Sequence, residues 1–234
     1  SAAGGPFADG EAVEKDDVGG ISSCDGGGDS LWVVGFVVTG ALAHDDLYGG
    51  LSVGAVVEGF EALEDFRGLS LIERVCRVMH SVFQNVVLIT NSPQEYAHLD
   101  IPMEQDLKKG LGPIGGILTA LRMIPQDAGF FVACDMPFLN PELIRYMVTQ
   151  RDASDAVVPV ISGKMEALHA LYTKQCLPAI GHLISSGSLQ IFRFFPEVSV
   201  RYITEEEIRT YDPRLTSFLN VNSPQELRRL KGPC

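Results

Sequence analysis

A carboxylate follows an apolar run in segment 129–144, GFFVACDMPFLNPELI, where Asp135 comes directly after six mostly apolar residues. Burying a charge is costly unless something pairs with it, so Asp135 is expected either to face solvent or to hold a positive group. Proteins usually hold Mg²⁺ with one or two carboxylates, together with the phosphates of a substrate. The segment therefore predicts that Asp135 is a magnesium ligand. The alternative is a carboxylate that caps the following turn.

Glycines are concentrated in segment 110–115, GLGPIG, which matches the G-x-G-x-x-G pattern of dinucleotide-binding loops. That pattern requires a strand directly before the glycines, and the preceding MEQDLKKG has no strand period. We interpret the segment as a glycine-rich turn into a helix. The N–H groups at the start of such a helix can still approach an anion or a base.

Polar side chains at three further places could bind a ligand. Asn91 follows the apolar run VVLIT, and Asn220 and Asn222 stand two residues apart. On an extended segment, residues two apart face the same way, so these two amides could read one polar ligand. Turn chemistry is the alternative at all three asparagines. Glu166 and His169 flank a predicted strand, where we interpret the histidine as structural.

The elements that must position these residues alternate between strands and helices. This order predicts an α/β fold with a largely parallel sheet and right-handed crossovers. In open α/β sheets, ligands bind outside the carboxyl ends of the strands, which places Asn91, Asp135 and the loop 106–116 along one edge. The predicted strands lie within 31–43, 85–90, 129–135, 155–161, 167–172 and 198–204, and the predicted helices begin at Ser70, 114, Asn140, near 174 and near 223.

The composition indicates a globular chain of 234 residues, with 46% hydrophobic and 21% charged residues. No apolar run approaches the roughly 18 to 20 residues of a membrane helix, and no basic leader starts the sequence. Five scattered cysteines without a C-x-x-C pair favour a reducing, cytoplasmic location. Residues 66–234 carry no net charge, which gives no general surface for nucleic acid. We therefore expect neither a nucleic-acid nor a membrane partner.

The net negative charge of the chain comes from residues 1–65, which contain 13 acidic residues and one basic residue, Lys15. Residues 1–30 are rich in glycine and acid, and we expect them to form a disordered tail. Residues 31–234 are expected to form a single domain, in which 31–65 are atypical. The composition changes abruptly near Asp65.

Six segments between about residues 66 and 230 resemble, in order, the molybdenum cofactor guanylyltransferases, which are MobA-type nucleotidyltransferases. The resemblance implies a three-layer, mostly parallel, Rossmann-like sheet. It also implies Mg²⁺-dependent transfer of GMP from GTP to the terminal phosphate of molybdopterin, with release of pyrophosphate. The related cytidylyltransferases match less well. The segments are FRGLSLIERV, VVLITNSPQEY, DLKKGLGPIGGILTAL, FFVACDMPFLNPELI, GKMEALHALY and FLNVNSPQEL.

The resemblance assigns roles to matching residues. Asp135 would be the catalytic residue that holds Mg²⁺ at the phosphates. Asn220 and Asn222 would face molybdopterin, and molybdoenzymes or cofactor-insertion proteins are possible partners. The nucleotide site would be formed by Asn91, Asp106, Gly112, Gly115, Gly116 and Asp135.

The family's phosphate loop departs from its pattern here. Gly49, Gly50 and Ser52 are present, but Val53 stands where an arginine is expected and Glu61 lies near the expected lysine. An acidic loop would repel a triphosphate by roughly several kcal/mol. Either the chain is a degraded relative, or residues up to about 65 come from a wrong reading frame. A carrier that binds molybdopterin without catalysis, and a nucleotidyltransferase that uses CTP, are the alternative functions.

Overall fold

The strands of the sheet are short and lie between helices along the chain. The computed structural model describes residues 32–38, 69–221 and 226. The strands are β1 (Trp32–Val38), β2 (Val86–Thr90), β3 (Met103–Glu104), β4 (Ala128–Val132), β5 (Ala156–Ile161), β6 (Lys164–Met165), β7 (His169–Thr173) and β8 (Val200–Ile203). The helices are α1 (Leu71–Val82), α2 (Pro113–Met123), α3 (Pro141–Thr149), α4 (Leu177–Ser185) and α5 (Glu205–Tyr211), and 3-10 turns span Pro93–Leu99, Lys174–Cys176, Ile191–Glu197 and Thr216–Phe218.

The described strands form one sheet in the order β3-β2-β1-β4-β7-β5-β6, and β8 also pairs with β5. Strands β1, β2, β3 and β4 are joined by parallel pairs, and so are β5 and β8. Because β4 and β5 are both antiparallel to β7, all six of these strands run in one direction. This confirms the mostly parallel sheet that the sequence predicts. Strand β7 is the exception within the centre of the sheet, where it runs antiparallel to both β4 and β5.

The direction of β7 follows from its short connection to β5. Ser162 and Gly163 both have positive φ angles, of 50° and 79°, and form the tight turn of the β5–β6 hairpin. Turns of this handedness match the twist of antiparallel strands. A parallel strand would need a crossover of a dozen or more residues, and only residues 162–168 separate β5 from β7.

Helices cover both faces of the sheet, as the alternation along its strands requires. Val86 and Leu88 of β2 point into one core cluster, and Val87 and Ile89 point into another. The first cluster includes residues of α1, α3 and α5, and the second includes residues of α2 and α4. The fold is therefore three-layered, with the sheet in the middle.

Hydrogen bonds at the helix starts explain where α1, α3 and α5 begin. Ser70 and Glu73 form the predicted capping box, in which the Ser70 Oγ accepts from the Glu73 N–H at 3.3 Å. Asn140 Oδ1 accepts the N–H of Glu142 at 2.9 Å, directly before Pro141. Thr204 and Glu207 form a second capping box that starts α5. This helix was not predicted from the sequence, although T-E-E-E at 204–207 is a capping-box pattern.

Two predicted elements differ in the structure or lie outside its described part. Strand β4 ends at Val132 rather than continuing to Asp135, since the chain turns after Ala133. The predicted tail 1–30, the loop around Gly49 and Asn222 lie outside the described residues, and the predicted last helix is described only at Glu226. Across the described residues, every helix is too short or too polar to span a membrane.

Candidate active site

The candidate site lies where parallel strands end. Strand β2 ends at Thr90, next to Asn91, and β4 ends at Val132, three residues before Asp135. Strand β1 lies between them and runs parallel to both, so the two carboxyl ends share one edge of the sheet. His169, the first residue of the antiparallel β7, pairs with Val132 and lies at that edge too.

Asn91 and Asp106 form the first pair of the site. The Asn91 Nδ2 donates a hydrogen bond of 2.8 Å to the Asp106 Oδ2, and Asp106 is only 9% exposed. The Asn91 Oδ1 and the Asp106 Oδ1 are both buried, and neither accepts a hydrogen bond from the described residues. Burial raises the pKa of Asp106, and the bond from Asn91 acts in the opposite direction. Buried acceptors are normally satisfied, so this pair is suited to a ligand that brings donors.

Helix α2 fixes the loop that follows Asp106. The Leu107 N–H donates to the Thr119 Oγ1 at 2.9 Å, and the Thr119 hydroxyl donates to the Gly115 carbonyl at 2.8 Å. Thr119 is completely buried in the second turn of α2. The position of Asp106 is therefore set by β2 through Asn91 and by α2 through Thr119.

The glycines at the start of α2 shape this loop. Gly112 has φ 59° and ψ −152°, a conformation that L side chains adopt only with strain. A Cβ on Gly115 would lie 2.9 Å from the Leu111 Cβ, so this glycine lets the loop pack against the helix. Gly116 is buried in the first turn of α2, which contains no acidic residue. The positive end of the helix dipole thus faces no carboxylate of that turn.

Asp135 lies in a turn that is held from two sides. The Ala133 N–H donates to the Leu168 carbonyl at 3.1 Å, which joins the end of β4 to the start of β7. The Val221 N–H donates to the Asp135 carbonyl at 2.9 Å. Asp135 itself is half-buried. Its main chain is thus fixed while its carboxylate stands at the edge where the strands end.

The family of the chain is identified by a match over most of its sequence. Residues 49–198 match the MobA-like NTP transferase domain. The chain belongs to this family. The matched range begins at the Gly49-Gly50 pair, ahead of the first described helix.

Members of the MobA-like family are similar to this chain over most of their length. A probable molybdenum cofactor guanylyltransferase of Pelotomaculum thermopropionicum is 35% identical over 158 residues, which cover 68% of this chain and 77% of that protein. The molybdenum cofactor guanylyltransferase of Desulfosudis oleivorans is 32% identical and covers 74% of this chain and 87% of its own length. The resemblance to this family seen in the sequence is therefore confirmed.

Solved structures confirm the nucleotidyltransferase fold. Molybdopterin-guanine dinucleotide biosynthesis protein A from Archaeoglobus fulgidus superposes with a TM-score of 0.64 at 29% identity and covers 73% of this chain and 88% of its own. The 2-C-methyl-D-erythritol 4-phosphate cytidylyltransferase from Thermus thermophilus superposes with a TM-score of 0.56 at 14% identity, covering 74% and 93%. The second likeness concerns the fold alone.

In this MobA-like chain, Asn220 lies beside the turn of Asp135. It directly precedes Val221, whose N–H reaches the Asp135 carbonyl. The Asn220 Oδ1 is buried and accepts no hydrogen bond within the described part of the chain. The candidate site therefore contains two groups of polar side chains, the Asn91–Asp106 pair at the end of β2 and Asn220 beside the Asp135 turn. The binding roles that the sequence assigns to these residues stay predictions.

The residues at Asp135 suit Mg²⁺ by their chemistry. A carboxylate oxygen is the ligand type that this ion prefers, and one protein carboxylate is a usual number when substrate phosphates are present. Between residues 69 and 221, no three His, Cys, Asp or Glu side chains converge into a metal-binding group. A metal at this place would thus be held by at most two of the described His, Cys, Asp or Glu side chains, and Asp135 would be one of them.

The contribution of Thr119 was not predicted from the sequence. Thr119 appears in the sequence only as one polar residue in an apolar helix, ILTALRM, and that is the signal that could have found it. His169 is completely buried at the site edge, with neither ring nitrogen bonded to a described residue. The residues after His169 in HALY are mostly apolar, so the sequence does not show that the histidine lies at this site.

Proposed function

We propose that the protein transfers GMP from GTP to the terminal phosphate of molybdopterin and releases pyrophosphate. The observation that carries this proposal is the Asn91–Asp106 pair, which holds two buried acceptor oxygens without a donor from the described residues. Guanine presents two adjacent donors, its N1–H and its 2-amino group. Cytosine presents one amino donor next to an acceptor nitrogen. A site of paired acceptors therefore favours guanine, since a base that lacks a donor leaves a buried oxygen unsatisfied.

The reaction needs positioning more than a protein nucleophile. An oxygen of the molybdopterin phosphate attacks the α-phosphorus of GTP in line, a new P–O bond forms, and the bond to the β-phosphate breaks. Pyrophosphate leaves with the bonding electron pair. Such transfers depend mainly on orientation and on neutralising the phosphate charge. Asn91 and Asp106 would orient the base, and the backbone at the start of α2 would pack against the nucleotide.

Asp135 would hold Mg²⁺ at the phosphates, and this ion would supply most of the charge neutralisation. Asn220, joined to the Asp135 turn through Val221, would face molybdopterin on the other side. Asn222 would act with it, as the sequence predicts. The two substrates would then meet above Asp135, between the two sides of the edge.

A second candidate function is supported by the charge of the chain. No Arg or Lys occurs between Lys15 and Arg67, so the family's glycine-rich phosphate segment has no basic side chain of its own. A protein with this loss could bind molybdopterin through Asn220 and pass it on without transferring GMP. The two functions differ in one property, namely whether GTP binds.

The test is an anaerobic assay of the full chain with Mg²⁺, molybdopterin and either GTP or CTP. We expect pyrophosphate and molybdopterin guanine dinucleotide from GTP, and little product from CTP. Faster transfer from CTP would contradict the assignment of guanine. Tight binding of molybdopterin with no binding of GTP·Mg²⁺ would support the carrier instead.

A further inference from the structure

Lys108 and Lys109 are two adjacent cations in the loop between Asp106 and α2. Both side chains are exposed, and neither forms an ion pair with a described carboxylate. Exposed lysines are common on every protein surface, so their charge alone assigns them no role. The course of the loop and the sequence of the phosphate segment distinguish this pair from ordinary surface lysines.

The loop that carries the lysines runs along the carboxyl edge of the sheet. It starts from β3, which is the outermost strand and is parallel to β2. It ends in α2, which packs on β1, β2 and β4. The chain must therefore move from the end of β3 towards the end of β1. This is the direction that leads from the Asn91–Asp106 pair towards Asp135, where the phosphates of a nucleotide are proposed to lie.

The main chain is fixed on both sides of the lysines. On one side, the Leu107 N–H donates to the Thr119 Oγ1 at 2.9 Å. On the other side, Gly110 turns the chain with a φ of 79°. The Lys108 carbonyl would lie only 3.5 Å from a Cβ on Gly115, so the loop packs directly on the first turn of α2. The two lysine side chains therefore start beside the positive end of this helix.

A triphosphate on this chain needs positive charge from outside the glycine-rich phosphate segment. No Arg or Lys occurs between Lys15 and Arg67, the range in which that segment lies. One Mg²⁺ leaves a nucleoside triphosphate with a net negative charge, and phosphoryl transfer depends on neutralising it. Cationic side chains that reach the phosphates must therefore come from another part of the site edge.

The loop after β3 contains such side chains. Four described segments follow strands at this edge, namely those after β2, β3, β4 and β5. Of these four, only the segment after β3 contains a lysine or an arginine, and it contains both Lys108 and Lys109. Asp106 does not take up their charge, because its pKa is set by its burial and by the bond from Asn91. Both ammonium groups are thus free to bind an anion.

We propose that Lys108 and Lys109 bind the phosphates of the nucleotide and so replace the basic residues that the phosphate segment lacks. The inference rests on the proposed function in taking GTP as the nucleotide, and it leaves recognition of the base to Asn91 and Asp106. Lysine suits this role, since its ammonium is a point charge on a flexible stem and a common ligand of phosphate. Because both side chains face solvent, salt should weaken the attraction.

The experiment measures the Kd of GTP and of guanosine, with Mg²⁺, for the full chain and for the double variant Lys108→Gln/Lys109→Gln. Guanosine has the same base and no phosphate, so only GTP can respond to the loss of the two charges. We expect GTP to bind about tenfold more weakly to the double variant at low ionic strength, with the Kd of guanosine and the Tm unchanged. Added KCl should weaken GTP binding more in wild type than in the variant.

Two further double variants are the matched controls. Arg122→Gln/Lys174→Gln removes the same amount of charge at the opposite edge of the sheet, where α2 and β7 end. Helix α2 has 11 residues and thus spans about 16 Å, more than the Debye length of about 10 Å at 0.1 M salt. This control should therefore bind GTP as wild type does. Lys108→Arg/Lys109→Arg keeps both charges and should also retain the affinity for GTP.

Three results would overturn the inference. The first is an unchanged Kd of GTP in Lys108→Gln/Lys109→Gln. The second is an equal loss of GTP affinity in Arg122→Gln/Lys174→Gln, because the net charge of the protein would then explain the effect. The third is weaker binding of guanosine as well as GTP together with a lower Tm, since that pattern indicates damage to the loop.

The same measurements separate the inference from the proposed function. A wild-type chain that binds GTP but transfers no GMP would refute the transfer, and a selective loss of GTP affinity in Lys108→Gln/Lys109→Gln would still support the role of the lysines. A wild-type chain that binds guanosine as tightly as GTP would overturn the role of the lysines and leave the base site supported.

Discussion

The side chain of Asn91 reaches that of Asp106 across the site edge, with a hydrogen bond of 2.8 Å between Nδ2 and Oδ2. This bond extends the parallel pairing of β2 with β3, because Asn91 and Asp106 each lie two residues beyond the paired residues Ile89 and Glu104. It also leaves one oxygen of each side chain buried and ready to accept from a ligand.

Asp106→Asn should impair the use of GTP. The substitution replaces an acceptor-only carboxylate by a group that also donates, which opposes the donors of guanine. We expect kcat/KM for GTP to fall by about 100-fold, mostly through KM, because a site built around a hydrogen bond discriminates strongly. The Tm should not fall, since burial already raises the pKa of this carboxyl. Asp100→Asn, the same change at an exposed residue, is the control. Equal kcat/KM in wild type and Asp106→Asn would contradict the role of the pair.

Asp135→Asn should abolish Mg²⁺-dependent transfer and keep the fold. Asparagine suits turns, and the main-chain carbonyl that accepts from Val221 is unchanged. We expect kcat to fall by about 100-fold or more, because charge neutralisation at the phosphates is lost. Asp127→Asn is the control, since Asp127 precedes β4 at the opposite edge and pairs with Arg151 on the surface. Turnover that stays the same after loss of the Asp135 carboxylate would rule out its metal-binding role.

Gly112→Ala should lower stability and weaken nucleotide binding together. The φ of 59° with ψ −152° costs a residue with a Cβ about 1–3 kcal/mol. The strain can be relieved only by moving the start of α2, which should raise the KM for GTP. Gly181→Ala is the control within α4, where a Cβ meets open space and alanine should stabilise the helix by up to about 1 kcal/mol. Thermal unfolding and GTP kinetics of both variants test this, and a higher Tm in Gly112→Ala would contradict it.

Thr119→Val should loosen the loop after Asp106. Valine has the same shape but cannot accept the Leu107 N–H, and the net loss of such a bond is about 1 kcal/mol. We expect a raised KM for GTP and an unchanged kcat, with faster amide hydrogen exchange at Leu107. Thr149→Val, at an exposed position of α3, provides the comparison. An amide hydrogen exchange rate at Leu107 equal to that of wild type would show that the Leu107–Thr119 hydrogen bond does not hold the loop in place.

His169 should make the fold sensitive to mild acid. Its pKa is about 3 in the folded state against an ordinary 6.5, so between these values the unfolded chain binds a proton that the folded chain does not. The free energy of unfolding should therefore fall as the pH falls from 6.5 towards 3, by up to about 1.4 kcal/mol per pH unit. The charged group facing the ring is Asp212, whose own pKa lies below its usual range despite burial, through bonds to Ser217 and Thr216.

Denaturant unfolding at pH 6.5 and at pH 5 isolates this effect. Ordinary carboxylates titrate mainly below that window. The difference in the free energy of unfolding between the two pH values should be clearly smaller in His169→Phe than in wild type. Equal differences in the two proteins would mean that His169 does not stay neutral in the folded state.

Much of the fold could be predicted from local signals. Ser70 and Glu73 predict the start of α1, and Asn140 and Pro141 predict that of α3. The apolar run 86–90 predicts the buried strand β2. The direction of β7 was not predictable from periodicity, because apolar alternation is the same in parallel and antiparallel strands. It depends on the tight turn at Ser162 and Gly163, whose positive φ angles follow from the hairpin.

The site was harder to predict than the fold. Single residues such as Asn91 and Asp135 could be placed at the edge, since strand ends are visible in the sequence. The bond between Asn91 and Asp106 depends on the parallel pairing of β2 with β3, and β3 has only two residues, too few to show a strand period in the sequence. The burial of His169 depends on Phe218, which the chain brings over it from a distant segment. Contacts of this kind appear only once the three layers have packed.

The hydrogen bond from Val221 to Asp135 sets an order in time as well as in space. Asn91, Asp106 and Asp135 leave the ribosome before the residues that complete the other side of the edge. A growing chain can therefore complete the proposed surface for the base while residues of the proposed surface for the second substrate are still missing. Synthesis of the protein thus supplies these two proposed surfaces one after the other, and the later one is joined to the Asp135 turn, which is made earlier.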